Sequence, residues 1–238
     1  NANGGYVLAL AANALRSATG RTDPVTVTGH YLAPVTAGPV GIDTELVKSG
    51  KRLSVASGSI RRDGRELLRV MGAFGDLDAG PDGGFRFVGD APPELPSIDR
   101  CVRRTVEGTE ARVRLMERVD VMLHPEDAPL ITGDATGVGR VRGWFSFTDG
   151  RPIDTLSLLL VADAFPPAVF TLPGLVRGWV PTVEFTVHVR GVPAPGPLRC
   201  EFTSRFVFSG ALEEDGRVWD SRGELVAISR QYGLLARA

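Results

Sequence analysis

The sequence predicts an α+β protein built from two tandem copies of one unit, each a short apolar helix followed by an antiparallel meander. Two observations carry this. Sliding the chain by 158 positions without a gap superimposes Gly20 on Gly178, Val25 on Val183, Thr28 on Thr186 and His30 on His188. The same offset brings Gly38-Pro39 onto Gly196-Pro197, Gly58 onto Gly216, Glu66-Leu67 onto Glu224-Leu225 and Gly75 onto Gly233. A single offset that matches glycines, a Gly-Pro turn and strand-like stretches together points to duplication. The second observation is alternation: Thr182, Glu184, Thr186, His188 and Arg190 are set against Val183, Phe185, Val187 and Val189. That period of two belongs to a half-buried strand with the first set on one face.

The elements follow in order. Copy one starts with an apolar helix over Gly5 to Ala18, then alternating strands, a Gly-Pro turn, and strands over Gly41 to Ser49 and Leu53 to Arg61. A tight turn at Asp63-Gly64 leads to a last strand over Glu66 to Phe74, as Gly and Asp favour. Asp76 to Asp99 is dense in Pro, Gly and Asp and reads as linker; Arg100 to Glu117 is charged and compatible with helix or strand. Copy two opens with strands over Arg118 to His124 and Val138 to Thr148 and a helical run from Asp154 to Val161. Its apolar helix is expected from Asp163 to about Leu172. Then come the Thr182 strand and strands over Leu198 to Phe208, Ala211 to Asp220 and Glu224 to Leu234, the last two joined at Ser221-Arg222-Gly223. Copy one together with the linker is expected over 1–108 and copy two over 109–238. Copy one begins at its helix, so its first strand is expected to be missing, and a start at Asn1 without Met suggests an upstream segment. Each twisted sheet should wrap its own helix, and the two units should join, since neither alone has much core.

Composition narrows the function. Apolar residues are 43% and charged residues 23% of 238, ordinary for a globular protein and wrong for disorder. The 27 basic and 28 acidic side chains nearly cancel, so no whole-chain field draws in nucleic acid or an acidic membrane. The longest apolar stretch, Leu156 to Phe165, is interrupted by Asp163 and is too short for a bilayer span. Cys101 and Cys200 are far apart without metal-ligand spacing, which fits reduced thiols in a cytoplasmic protein. There is no Gly-x-Ser-x-Gly elbow, and neither cysteine has a neighbouring histidine to make a thiolate. The glycines at 133, 137, 139 and 143 lack the Lys-Ser/Thr ending of a phosphate loop.

Four local patterns stand out in this frame. Gly4-Gly5 precedes Tyr6-Val7-Leu8-Ala9; Ala162-Asp163 precedes Phe165-Pro166; and Thr182-Val183-Glu184 and Arg230-Gln231-Tyr232-Gly233 lie on late strands. Together, in a duplicated strand–helix–meander, they resemble the bacterial type II acyl-CoA thioesterases, which have a double hot-dog fold. The resemblance covers nearly the whole chain. It implies that Asp163, Thr182 and Gln231 hold the hydrolytic water, and that backbone N–H groups at a helix start, Gly4-Gly5, face the developing oxyanion. The chain departs from the family in having Glu184-Phe185 where Asp-His is frequent, and Tyr232 where Glu commonly follows the Gln. These changes bear on substrate preference more than on the reaction.

Each residue also has a plain structural use. Asp163 before Pro166-Pro167 is a good helix N-cap, worth ~1 kcal/mol; Thr182 suits a strand; Gln231 suits an exposed face. The repeat argues for function, because at the same offset copy one has Gly5, Pro24 and Ala73, none of which can do the job. His30 and His188 persist in both copies and read as structural, and His124-Pro125 reads as a turn. Arg103-Arg104 and Arg112-Arg114 could meet a CoA phosphate, but a solvated face is the simpler reading. The expected activity is hydrolysis of fatty acyl-CoA by direct attack of water, with acyl-CoA as substrate and without metal or redox cofactor. A non-catalytic acyl-CoA or acyl-carrier-binding protein is the alternative. No nucleic-acid partner or membrane span is expected, and assembly into a homo-oligomer is left open.

Overall fold

In a computed structural model, which describes residues 1–77, 85–105, 114–175 and 178–235, the chain forms one antiparallel sheet. Helix α1 (Gly4–Thr19) opens copy one. Asn3 caps it by accepting the Tyr6 N–H at 2.9 Å, and Gly20, at φ 65°, closes it by donating to Arg16 O. Val7, Leu8, Ala11, Ala12 and Leu15 fall on one stripe and are buried, each large side chain contributing ~1.5–3 kcal/mol. That stripe packs on β1 (Asp23–Tyr31), β2 (Gly41–Lys48), β3 (Ser54–Arg62) and β4 (Arg65–Gly75).

Copy two contains β5 (Val102–Arg103), β6 (Val119–Leu123), β7 (Arg140–Phe147), α2 (Ser157–Val161), β8 (Thr182–Val189), β9 (Leu198–Thr203), β10 (Val207–Phe208), β11 (Ala211–Trp219) and β12 (Leu225–Leu234). The strand order is β2-β3-β4-β1-β8-β12-β11-β9-β7-β6-β5, with β10 on β11. The two copies therefore join edge to edge through β1 and β8. Their register places Thr28 opposite Thr186, residues 158 apart, with their hydroxyls 2.8 Å apart. A residue facing its own repeat counterpart marks a pseudo-twofold axis through the middle of the sheet. Beyond β9, copy two adds β7, β6 and β5; among the described residues no strand pairs the outer edge of β2, which is exposed along nearly its whole length.

Several expectations are revised. No regular helix runs from Asp163 to Leu172: the helix of copy two is the five-residue α2, followed by a turn and one 3-10 turn at Ala168–Thr171. Pro166 and Pro167 lack N–H donors and disfavour helical geometry just before them, so a helix cannot run through. The strand expected over Leu198 to Phe208 breaks after Thr203. The repeat offset also slips in the final strand. Thr26 registers with Ala73 and Glu184 with Tyr232; Glu184 lies 158 after Thr26, whereas Tyr232 lies 159 after Ala73. One extra residue in the turn before β12 accounts for this, so the counterpart of Gln231 is Gly72, not Ala73. Residues 85–97 form no regular element, and the expected division at 108/109 lies outside the described residues.

The helices meet close to the pseudo-twofold axis, and Gly5 sets the distance. A Cβ there would lie 2.5 Å from Leu159 O and 2.8 Å from the Asp163 Cβ. Gly5→Ala would gain ~1 kcal/mol of helix propensity, but the clash with backbone should win. We expect a net loss of ~1–3 kcal/mol in denaturant unfolding, whereas Gly191→Ala, with nothing within 4 Å, should change stability little.

Candidate active site

The site is assembled by an irregularity in one strand. Along β8 and β12, Tyr232 pairs with Glu184 but Gly233 pairs with Thr182, so Val183 is an extra residue, a β-bulge. Directly paired residues share a face, so the bulge moves Thr182 off the face of Glu184, Thr186 and His188, where plain alternation puts it. It joins instead the face of Gln231, whose partners are the buried Phe185 on one side and Glu214 on the other. There Gln231 Nε2 donates a short hydrogen bond to Thr182 Oγ1.

Asp163 reaches the same place from the exit of α2. It does not cap a helix of its own copy; it caps α1 of the other. Its Oδ2 accepts the Gly5 N–H at 2.8 Å and Asn3 Nδ2 at 2.8 Å, while Asn3 also donates to Asp163 O at 2.8 Å. Gly5 and Asp163 are repeat counterparts, 158 positions apart, so this contact lies at the pseudo-symmetry axis. The Tyr31 hydroxyl donates to Gly4 O at 2.7 Å, and Arg104 Nη1 donates to Ala164 O at 2.6 Å.

These groups line one cavity of about 370 Å3. Asp163, Thr182, Gln231 and Glu214 come from copy two; Asn3, Gly4 and Tyr31 form the facing wall from copy one. Apolar side chains including Val7, Val35, Phe165 and Leu212 complete the lining, as in sites that take a largely apolar ligand.

Burial dominates the electrostatics. It pushes the Asp163 carboxyl up to about 6, against the opposing pull of the Gly5 N–H, the Arg104 guanidinium, Asn3 and the Gly4 N–H. Glu214 is pushed up to about 7 by burial, held back by the Ala168 N–H and raised further by the charges of Asp163 and Asp215. Arg104 is brought down to about 10 by desolvation, with Asp163 acting the other way. Tyr31 is raised by burial and by Asp163 and Glu184.

The three residues expected to hold a water thus line one cavity. Gly4 lies there too, but Gly5 is buried and its N–H is given to Asp163, which revises its expected oxyanion role. Arg104 does not lie on a solvated face: it is half-buried beside Asp163. Arg103 is exposed and pairs with Asp120 at 2.6 Å; Arg112 and the Arg114 side chain lie outside the described residues. His30 and His188 lie on the outer face of the sheet. His124, Glu126 and Asp127 come within 4.8 Å of one another, but the Arg142 guanidinium already fills that cluster, at 2.9 Å from Asp127 Oδ2 and 2.7 Å from Glu126 Oε2. Sequence reasoning missed Asn3, Tyr31 and Glu214. All three had a signal, since their repeat counterparts, Val161, Val189 and Ala56, are apolar.

The acyl-CoA thioesterase N-terminal domain matches residues 1–75, and the acyl-CoA thioesterase C-terminal domain matches residues 92–235. An uncharacterised protein of Mycobacterium tuberculosis is 28% identical, over 98% of this chain and 85% of its own length. A Thermobifida fusca protein provisionally named a thioesterase II is 30% identical with a TM-score of 0.86, covering 99% of this chain and 86% of that one. A hot-dog protein of unknown function from Alicyclobacillus acidocaldarius shares the fold at a TM-score of 0.84 and 21% identity, over 99% of this chain and 88% of its own. With both domain types matched in order along one duplicated sheet, the chain belongs to the type II acyl-CoA thioesterase family and has its double hot-dog fold.

Proposed function

We propose that this protein hydrolyses fatty acyl-CoA to free fatty acid and CoA by direct attack of a water held by Asp163, Thr182 and Gln231. The observation that carries this is the convergence of these three side chains, from a helix exit and two strands, at one cavity lined with apolar groups. Their repeat counterparts, Gly5, Pro24 and Gly72, have no polar side chain, so the fold alone does not demand the trio.

Asp163 takes the water's proton as the oxygen attacks the thioester carbonyl carbon. A carboxylate raised to about 6 is a stronger base than an ordinary one and is still mostly ionised at neutral pH. The Gly5 amide and Asn3 hold it in position. Thr182 and Gln231 orient the water, and collapse of the tetrahedral intermediate expels the CoA sulphur. Cys101 and Cys200 are buried, with thiols pushed above their ordinary value, which supports a reaction without a cysteine nucleophile. No helix among the described residues is long and apolar enough to cross a membrane. Two free cysteines fit the reducing cytoplasm.

Release of free thiol from a panel of fatty acyl-CoAs, followed with a thiol reagent, tests the activity; a protein that binds them without releasing thiol would be an acyl-CoA-binding module instead. Asp163→Asn should lower kcat by ~10²-fold or more, and Gln231→Ala by only ~10-fold, because Gln231 does not take the proton. The rate should rise with pH through about 6 as Asp163 ionises.

Stability should move the other way. Asp163 binds its proton more tightly folded than unfolded, so its ionisation costs the folded state on the order of 3 kcal/mol. That cost is absent below about pH 4, grows as pH rises to about 6, and is fully present above it. Asp163→Asn keeps an acceptor for the Gly5 N–H without the charge. It should unfold at higher denaturant than the parent at pH ~8, with the gap closing below pH ~4. A variant less stable at both pH values would contradict this account of the buried charge.

A further inference from the structure

The cavity holds a second buried carboxyl that the hydrolytic scheme above does not use. Glu214 lies on β11 directly opposite Gln231, and directly opposed residues on a sheet face have Cβ atoms ~4.5–5.5 Å apart. It lines the same cavity as Asp163, Thr182 and Gln231. The Ala168 N–H, at the start of the 3-10 turn after Pro166-Pro167, fixes one of its oxygens at 2.5 Å. Copy one again supplies the comparison: β1 and β3 keep the offset of 158, so the counterpart of Glu214 is Ala56, which is fully buried. The fold therefore does not need a carboxyl at this position, and placing one there costs desolvation.

We propose that Glu214 is the acid of this site, a protonated carboxyl that gives its proton to the departing sulphur as the carbon–sulphur bond breaks. This rests on the hydrolytic reading and completes its proton balance. The water oxygen bonds to the carbonyl carbon and its proton goes to Asp163. When the tetrahedral intermediate collapses, the carbon–sulphur electron pair goes to sulphur, which takes the proton of Glu214. The products are a carboxylic acid and a thiol; the proton on Asp163 then passes to Glu214 and restores the starting state.

The surroundings divide the two carboxyls between these roles. Asp163, at the exit of α2, has the Gly5 N–H, Asn3 and the Arg104 guanidinium to favour its charge. The charges that act on Glu214 are both negative, Asp163 in the same cavity and Asp215 beside it on β11, and only the Ala168 N–H favours its ionised form. The remaining groups of this wall, Thr182 and Gln231, are neutral, and Tyr31 opposite donates to Gly4 O. These surroundings favour the charged form of Asp163 and the neutral form of Glu214.

The test uses the full chain and compares two thioesters of one fatty acid: the CoA ester, and an aryl thioester whose more acidic thiol leaves without help. For the parent protein, kcat on the CoA ester should fall as pH rises above about 7. Glu214→Gln should lose that fall, lower kcat on the CoA ester by ~10–100-fold with KM within ~2-fold, and lower it by less than ~3-fold on the aryl ester. A purely structural Glu214, serving only to cap the turn at Ala168, would give equal losses on both esters, and that result overturns the proposal. So does a parent rate that stays level to pH ~9, a measurement that needs no variant to fold. A parent protein that releases no thiol from either ester at any pH refutes hydrolysis itself. A parent that turns over while Glu214→Gln matches it at every pH refutes the role of Glu214 alone.

Discussion

The hydrogen bond from the Gly5 N–H to Asp163 Oδ2 ties the architecture to the site. The residues are repeat counterparts, so they meet where the two copies are related by pseudo-symmetry. One position must be glycine to let the helices close; the other supplies the carboxylate that fills the resulting space. A helix N-terminus has unpaired N–H groups and a partial positive charge. Here it receives that anion from the opposite copy. Neither copy could form this contact by itself.

The same contact explains why two buried carboxyls are tolerated. Desolvation alone would keep both neutral. The Gly5 amide, Asn3 and Arg104 return part of the lost solvation to Asp163, so its carboxyl rises only to about 6. Glu214 receives one amide and faces negative charge, and it is held near 7. Carboxyls with values around neutrality are costly to stability and useful for moving protons. Copy one, with Gly5, Pro24, Gly72 and Ala56 at the corresponding places, carries none of that cost.

Strand geometry supplies the rest. In both copies the register shifts at the same point, between Pro24 and Thr26 in β1 and between Thr182 and Glu184 in β8. The bulge is thus a property of the duplicated fold. What differs is its use: in copy one it carries Pro24, and in copy two it turns the Thr182 hydroxyl towards Gln231. A feature that closes and twists the sheet in both halves directs a functional side chain in only one.

The sequence by itself determined the duplication, the α+β class and the position of most strands, because glycine turns and period-two alternation are local signals that survive in both copies. It also singled out Asp163, Thr182 and Gln231, since residue-by-residue comparison of the copies, with the family resemblance, isolates polar groups present in only one. It misplaced the helix of copy two, where Pro166-Pro167 override an apolar pattern, and it aligned the last strand one residue out, because turn length is invisible to an ungapped comparison. Only the tertiary structure decided that Asp163 caps the opposite copy's helix, that a bulge reverses the face of Thr182, and that Arg104 and Glu214 belong to the cavity. Those outcomes depend on register and on contacts between residues up to 160 positions apart, and no local pattern encodes which distant amide or charge a buried carboxyl will meet.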